Sequence, residues 1–286
     1  MQAKLRSAVE IALGSAIVQV SSVAGGDINL AYRIKLADDR VVFIKSNPSA
    51  PPQLFECEAS GLDWLAQAGA LPVPRVLALS SVDPQFLVLE YLESGAQSRR
   101  FDEQLGQGLA QLHRAGAPGF GFERENFIGR LPQRNTRKPD WATFYWECRL
   151  QPQIDLAVNA GLLSSQLMTA FESLGERLPQ LVGDPEPPAR LHGDLWGGNL
   201  HVGPNGAPYL IDPAVYGGHR EVDLAMMNLF GGFSARVFDA YRESFPLSFG
   251  HQERVALYQL YPLLVHVNLF GVGYVGSVER AIRRYL

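Results

Sequence analysis

The sequence predicts an α+β fold in two lobes, a small β-rich lobe over residues 1–91 and a larger helical lobe over residues 92–286. Two patterns predict this division. Most apolar runs before residue 91 are short and strand-like, whereas apolar residues after it recur at helical spacing. The change falls at Glu90–Leu92, which we expect to be a hinge between the lobes. A cleft between two lobes is a common place for a ligand.

The first lobe is predicted to contain five strands and one helix. Alternating or β-branched apolar runs predict the strands Ala16–Val23, Ala31–Leu36, Val41–Lys45, Val76–Ser80 and Phe86–Leu89. The pair Asp38-Asp39 indicates a hairpin turn between the second and third strands. The helix is expected from about Leu54 to Ala68, between the third and fourth strands.

The second lobe is predicted to be mostly helical. Helical spacing of apolar residues predicts helices at Phe101–Ala115, Trp141–Ala160, Ser164–Leu178, Arg220–Phe230, Val237–Ser244 and Gln252–Val267. One strand pair interrupts them, with Leu200–Val202 and Tyr209–Ile211 on either side of a turn-rich loop.

Composition excludes several classes of protein. The chain has 286 residues, 47% of them hydrophobic, and a net charge of −4 without a long basic run, so a nucleic-acid partner is not expected. The apolar stretch 260–275 is interrupted by polar residues and glycines, which argues against a membrane span. The N-terminus lacks the features of a signal peptide. The two cysteines, Cys57 and Cys148, are expected to be reduced thiols of a cytoplasmic protein.

The segment 191–199 contains the clearest chemical pattern, Leu-His-Gly-Asp-Leu-Trp-Gly-Gly-Asn. A His-x-Asp followed five residues after the Asp by Asn has the spacing of a kinase catalytic loop. Phosphoryl transfer requires a carboxylate that orients the attacking hydroxyl and oxygen ligands for magnesium. Asp194 is therefore the predicted base and Asn199 a predicted Mg²⁺ ligand. The alternative is that Asp194 only caps a turn in a glycine-rich loop.

Asp212 is a second candidate acid, because it directly follows the strand Tyr209–Ile211. Kinases place a magnesium-binding Asp at the end of such a hairpin. The chain has Asp-Pro-Ala where protein kinases have Asp-Phe-Gly, which favours a small-molecule kinase. The alternative is an Asp that starts a turn before proline.

Lys45 and Glu58 form a predicted ion pair. Lys45 ends the run Val-Val-Phe-Ile-Lys, which resembles the kinase strand whose lysine contacts the ATP phosphates. Glu58 shares a helical face with Phe55 and Leu62, so it points inward with the apolar stripe. A buried carboxylate needs a partner, and Lys45 is the natural candidate.

Two further segments complete the predicted ATP site. Gly25-Gly26, between two strands, could cover the phosphates with its backbone N–H groups, although an ordinary hairpin turn would have the same sequence. Glu90, Tyr91 and Leu92 occupy the hinge position. Together with Lys45, Glu58 and the acidic residues, these segments follow one another in the order found in kinases.

At His192–Asn199 the sequence resembles the fructosamine kinase (ketosamine-3-kinase) family, which is related to aminoglycoside and choline kinases. The resemblance extends over nearly the whole chain. Its other blocks are 126–129 with Gln133 and Asn135, 141–145 with Arg149 and Leu150, 212–217, 221–226, 230–233, and 258–261 with His266, Phe270 and Gly271.

The resemblance implies an ATP- and Mg²⁺-dependent kinase with a protein-kinase-like fold. The family phosphorylates the 3-hydroxyl of a ketosamine, a sugar–amine adduct, and the unstable product releases the sugar fragment. Either a small ketosamine or a glycated amine on a protein would be the substrate. By resemblance Asp194 is the base and Trp196 lines the substrate pocket. Asn199 and Asp212 hold magnesium, Lys45 and Glu58 position the phosphates, and Glu90–Leu92 contact adenine.

The chain departs from the family at Asp27, where many members have a cysteine after the paired glycines. A redox switch through that cysteine is therefore not expected, and the Asp27 side chain is expected to point away from the phosphates. Two alternatives to a ketosamine kinase remain open at this point. One is an aminoglycoside-type or other small-alcohol kinase, and the other is an inactive kinase-fold binding module.

Overall fold

The computed structural model describes residues 1–23 and 29–286, so the predicted phosphate-loop residues Gly25, Gly26 and Asp27 lie outside the described residues. The strands are β1 (Ile17–Val23), β2 (Leu30–Leu36), β3 (Val41–Ser46), β4 (Val76–Ser80), β5 (Phe86–Glu90), β6 (Asn126–Ile128), β7 (Leu131–Gln133), β8 (Ala189–Leu191), β9 (Leu200–Val202), β10 (Pro208–Leu210) and β11 (Tyr216–Gly218). The α-helices are α1 (Ala3–Leu13), α2 (Leu54–Ala66), α3 (Phe101–Ala115), α4 (Trp141–Phe144), α5 (Gln151–Asn159), α6 (Ser165–Leu181), α7 (Glu221–Phe230), α8 (Ala235–Ser244), α9 (His251–Phe270) and α10 (Val275–Ile282).

The chain forms two compact units, and each is built from two segments. The first unit comprises Met1–Phe101 and Leu200–Pro213, and the second comprises Asp102–Asn199 and Ala214–Leu286. The predicted α+β class is confirmed. The compact units differ from the predicted division at residue 91, because the first unit continues to Phe101 and includes a later hairpin.

The first unit is organised around an antiparallel five-stranded sheet in the order β1-β2-β3-β5-β4. All five strands were predicted from the sequence. The β2–β3 hairpin turns at Asp38-Asp39, where Asp39 has a positive φ of 65°. Turns of this kind favour Asp and Asn because their short side chains tolerate the left-handed region.

The two faces of this sheet differ in chemistry because successive strand residues alternate between them. Val42 and Ile44 of β3 lie in an apolar cluster with Leu5 and Val9 of α1. Lys45 alternates with Ile44, so its side chain lies on the opposite face of the sheet. The alternation therefore buries a lysine without placing it in the apolar cluster.

The later segment joins the first unit through backbone hydrogen bonds. β9 and β10 form an antiparallel hairpin in which Pro208 pairs with Val202. The N–H of Leu210 donates to Pro72 O at 3.0 Å, and the N–H of Gly95 donates to Val202 O at 3.0 Å. These bonds attach the hairpin to residues that precede it by more than a hundred positions and so position Asp212, which follows β10.

The second unit is mainly helical, with its core around α9. Tyr258 and Leu264 of this helix are fully buried in a cluster with Trp141 and Tyr145. The predicted single helix 141–160 consists of α4, a π-helical segment Tyr145–Leu150 and α5. Among the described residues, no helix is long and apolar enough to cross a membrane.

Two small sheets of the second unit were not predicted. They pair β6 with β7 and β8 with β11. Each strand has only three residues, which is too short for an alternating pattern to be recognised. The pairing of β8 with β11 matters for the candidate site because β8 leads directly into the predicted catalytic loop.

Candidate active site

The predicted catalytic loop begins directly after β8 and depends on a glycine at position 193. Gly193 has a φ of 83°, and a Cβ atom there would lie 2.0 Å from the carbonyl oxygen of Ala214. Only glycine combines this conformation with this close approach. The N–H of Ala214 donates to His192 O at 3.0 Å, which holds the start of the loop against the segment that leads to β11.

A buried carboxylate from α7 anchors the loop backbone. Asp223 accepts hydrogen bonds from the N–H groups of His192 at 2.8 Å and Gly193 at 2.9 Å. Burial alone would raise the pKa of Asp223, but the hydrogen bond from His113 and the neighbouring donors lower it below its ordinary value. Asp223 is therefore ionised. Its role is structural, since it ties the catalytic loop to α7.

His113 extends this anchor to α3, although no motif in the sequence predicts it. Its Nε2 lies 3.2 Å from Asp223 Oδ2, and its Nδ1 lies 2.7 Å from the Tyr241 hydroxyl. With Nε2–H donating to the carboxylate, Nδ1 accepts from the tyrosine. One feature of the sequence could have indicated that His113 is buried. It lies four residues after Leu109, on the apolar face of α3, and both side chains are buried.

Asn199 fixes the orientation of the predicted base. Its Nδ2 donates to Asp194 O at 2.8 Å and to Asp194 Oδ2 at 3.0 Å. Asn199 is itself buried, with an exposed fraction of 6%. An amide nitrogen only donates, so Oδ1 is the atom through which the predicted contact of Asn199 with Mg²⁺ would be made.

Trp196 lies over the backbone of the same loop. A Cβ atom on Gly198 would approach the indole to 2.3 Å, so glycine at this position leaves the space that the ring occupies. The indole remains 41% exposed and meets Phe230 edge-to-face with ring centroids 6.4 Å apart. Asp194 and His266 line a small cavity of the same unit. The loop thus presents a carboxylate together with an exposed aromatic ring.

In the first unit, Lys45 forms ion pairs with two carboxylates. Its Nζ lies 2.6 Å from Glu58 Oε1, and it also contacts Asp212 Oδ1. Lys45 and Glu58 are nearly buried, whereas the Asp212 side chain is 45% exposed. Burial would lower the pKa of Lys45, but the carboxylates of Asp212 and Glu58 raise it above its ordinary value. Lys45 is therefore a fixed positive charge, and the helical spacing had predicted its partner Glu58.

Asp212 has an unusual backbone conformation. Its φ of 54° lies in the left-handed region, which non-glycine residues adopt rarely. Strain of this kind costs on the order of 1–3 kcal/mol and is concentrated at functional positions. The conformation presents a partly exposed carboxylate beside Lys45. Mg²⁺ prefers oxygen ligands, so the carboxylate of Asp212 is suited to the predicted metal ion.

The side chains of the predicted hinge residues make contacts within the first unit. Glu90, the last residue of β5, accepts from the Nε of Arg75 at 2.8 Å and from its backbone N–H at 3.0 Å. The guanidinium of Arg33 lies 4.9 Å from the ring centroid of Tyr91. Leu92 is partly buried.

The predicted site residues divide between the two units. Lys45, Glu58, Asp212 and the segment 90–92 belong to the first unit, and Asp194, Trp196 and Asn199 belong to the second. Across residues 1–23 and 29–286, no group of three or more His, Cys, Asp or Glu side chains could by itself hold a metal ion.

A comparison with known families identifies the chain. The model of the fructosamine kinase family matches residues 1–286. The chain belongs to the fructosamine kinase family. The resemblance predicted from the His192–Asn199 loop is thereby confirmed over the whole sequence.

Relatives within the fructosamine kinase family cover most of the chain. A "Probable ketoamine kinase" of Enterococcus faecium is 39% identical over 93% of this chain and 95% of its own length. The "Protein-ribulosamine 3-kinase, chloroplastic" of Arabidopsis thaliana is 37% identical over 94% of this chain and 83% of its own length. As a member of this family, the chain is a phosphotransferase that acts on a sugar hydroxyl.

Solved structures give the same fold. A crystal structure from Thermobifida fusca, named "putative fructosamine-3-kinase", is 39% identical and has a TM-score of 0.89, with 98% of this chain and 97% of that chain covered. A choline/ethanolamine kinase family protein from Mesorhizobium loti is 17% identical with a TM-score of 0.60, covering 93% of this chain and 86% of that chain. The predicted kinase-like fold is confirmed.

Proposed function

We propose that this fructosamine kinase family member transfers the γ-phosphoryl group of ATP to the 3-hydroxyl of a ketosamine, with Mg²⁺ as cofactor. The observation that carries the proposal is the loop His192–Asn199, where Asn199 orients the Asp194 carboxylate beside the exposed ring of Trp196. The names of the related ketoamine and ribulosamine kinases support the same substrate class.

Asp194 would orient the attacking hydroxyl and accept its proton. Its carboxylate is held by Asn199 Nδ2, while Asp223 fixes the backbone on which it stands. Phosphoryl transfer depends mostly on positioning and charge stabilisation, so a carboxylate held in one orientation is suited to this role. The indole of Trp196 would stack on the apolar face of the sugar and turn its hydroxyls toward Asp194.

Lys45 would bind the ATP phosphates, and Glu58 would hold Lys45 in place. The two carboxylates around Lys45 keep it charged. The oxygen atoms of Asn199 and Asp212 would hold Mg²⁺, which neutralises phosphate charge when it is bound. Because Arg75 occupies the carboxylate of Glu90, hydrogen bonds from residues 90–92 to adenine would come from the main chain.

The remaining expectations concern setting and partners. Neither Cys57 nor Cys148 forms a disulfide, and both are buried, which supports a reducing compartment such as the cytoplasm. The acceptor would be a free ketosamine or a glycated amine on a protein. We propose no nucleic-acid or membrane partner, in line with the absence of a basic run.

The test is a magnesium-dependent ATP-consumption assay with a ribulosamine and a fructosamine, beside a panel of amino alcohols and aminoglycosides. We expect phosphorylation of a ketosamine at the 3-hydroxyl. Asp194→Asn should reduce kcat by at least about a hundredfold, since general-base catalysis contributes roughly 10²–10⁴. Asp63→Asn is the matched control, because Asp63 is an exposed carboxylate of α2. Activity confined to the other alcohols would overturn the proposed substrate, and a normal kcat in Asp194→Asn would overturn its role.

A further inference from the structure

Five aromatic side chains form a continuous strip that starts at the catalytic loop. The strip consists of Trp196, Phe230, His266, Phe270 and Tyr274. From Phe230 to His266 the ring centroids are 4.6 Å apart, from His266 to Phe270 5.4 Å, and from His266 to Tyr274 5.0 Å. Trp196 joins the strip through Phe230. All five belong to the second unit.

The last turns of two helices supply three rings of this aromatic strip. Phe230 is the last residue of α7 and Phe270 the last of α9. The glycine after each has a positive φ, which ends the helix and leaves the ring at the surface. A Cβ atom on Gly232 would lie 3.0 Å from Gly197 Cα, so the end of α7 lies directly against the catalytic loop.

The strip is exposed in a way that indicates a binding surface. Trp196 is 41% exposed, Phe230 38% and Phe270 51%. Single exposed aromatic residues are ordinary, but a contiguous exposed group usually marks an interaction site. The strip is also continuous with the substrate side of the catalytic loop, since His266 lines the same small cavity as Asp194.

The centre of the strip is compatible with a cationic ligand. His266 Nδ1 lies 2.7 Å from Pro262 O, a carbonyl that can only accept, so Nδ1 carries the proton. Burial lowers the pKa of His266 below its ordinary value, so the ring is neutral near pH 7. A neutral imidazole does not repel a cation and offers Nε2 as a hydrogen-bond acceptor.

We propose that the aromatic strip is the subsite for the amine half of the substrate, namely a protonated secondary amine and the aliphatic chain attached to it. This inference rests on the proposed function. The nitrogen of a ketosamine is attached to C1, two carbons from the reacting C3, so a sugar on Trp196 with its 3-hydroxyl at Asp194 places the nitrogen close to the next rings. Cations bind aromatic faces within about 6 Å of the centroid. The methylenes beyond the nitrogen would lie along Phe270 and Tyr274.

The preferred substrates are then adducts of long-chain amines such as the side chain of lysine. The test compares two adducts of one sugar, ribulose attached to the ε-amine of a blocked lysine and ribulose attached to methylamine. The measured quantity is the ratio of their kcat/KM values. Wild type should favour the lysine adduct. Phe270→Ala should reduce the ratio about tenfold, the effect of losing one apolar contact with the methylenes, because the protonated amine is common to both adducts.

Two variants complete the design. Phe270→Leu keeps apolar area but removes the ring, so it should reduce the ratio less than Phe270→Ala. Phe249→Ala is the matched control, because Phe249 is a fully exposed aromatic residue outside the strip, and its ratio should equal that of wild type.

The outcomes separate the two proposals. Turnover of both adducts with an unchanged ratio in Phe270→Ala would overturn the amine subsite and leave the proposed function standing. Failure of wild type to phosphorylate either adduct, or the corresponding fructose adducts, would overturn the proposed function and the subsite with it. A ratio that falls equally in Phe249→Ala would also overturn the subsite, because the effect would not be specific to the strip.

Discussion

Replacing Asp223 by Asn tests whether the anchor under the catalytic loop is needed for catalysis. In the native protein both carboxylate oxygens accept backbone N–H groups, with Oδ2 bonded to His192 and Oδ1 to Gly193. His113 Nε2 donates to Oδ2 as well. An amide of the same shape has one oxygen and one NH₂ group. One of the backbone N–H groups must therefore face a donor.

The size of the effect follows from these contacts. A hydrogen bond to a charged group contributes about 1.5–3 kcal/mol, and a buried donor without a partner costs a further 1–3 kcal/mol. Allowing for local relaxation, Asp223→Asn should lower the free energy of unfolding by about 2–4 kcal/mol. Because Gly193 is adjacent to Asp194, the loop would shift. A displacement near 1 Å can reduce kcat by about a hundredfold.

Urea unfolding and steady-state kinetics measure the two effects separately. The control is Asp239→Asn, which changes a half-exposed carboxylate of α8 that pairs with Arg242. It should alter the free energy of unfolding by less than about 1 kcal/mol and leave kcat unchanged. If Asp223→Asn also lost less than about 1 kcal/mol and kept its kcat, Asp223 would not be the anchor that we describe.

Three other substitutions test different parts of the second unit. Gly198→Ala places a methyl group where the indole of Trp196 lies, so KM for the sugar substrate should rise about tenfold with little change in Tm. Burial lowers the pKa of His219 below 6.5, so its protonation favours the unfolded state and stability decreases as pH falls below 6.5. His219→Phe should remove this dependence, which for one proton amounts to at most about 1.4 kcal/mol per pH unit. Glu221→Ala leaves Arg254 buried without its bidentate partner and should lower the free energy of unfolding by about 3–5 kcal/mol.

Each of these three predictions would be contradicted by a specific result. An unchanged KM in Gly198→Ala would mean that the indole position does not matter for substrate binding. Parallel stability curves for His219→Phe and wild type between pH 7 and pH 5 would show that this histidine titrates alike in both states. For Glu221, the double variant with Arg254→Leu should recover part of the loss, and no recovery would show that the buried charge is not its cause.

The sequence predicted those features that depend on local spacing. Glu58 was found because it shares a helical face with Phe55 and Leu62, and the structure places it 2.6 Å from Lys45. The catalytic loop was found because its residues are consecutive. The roles of these residues in ATP and magnesium binding stay predictions.

The missed features depend on contacts between distant parts of the chain. His113 and Asp223 are 110 positions apart, so no local pattern connects them. The aromatic strip could not be predicted because its rings come from the catalytic loop, from the last turns of α7 and α9, and from the turn before α10. The π-helical segment Tyr145–Leu150 could not be predicted for a different reason. Over only six residues, the spacing of apolar side chains in a π-helix cannot be distinguished from that in an α-helix.

The hairpin of β9 and β10 has a consequence for how the protein is made. The first unit needs residues 200–213, yet a ribosome completes residue 101 first and then synthesises about a hundred more. At roughly 5–20 residues per second this takes between about 5 and 20 seconds. During that interval Pro72 and Gly95 lack their hairpin partners, and Lys45 has Glu58 but not Asp212. A fragment ending at Phe101 would consequently be an incomplete folding unit, and nascent chains would be most open to proteases and chaperones in this window.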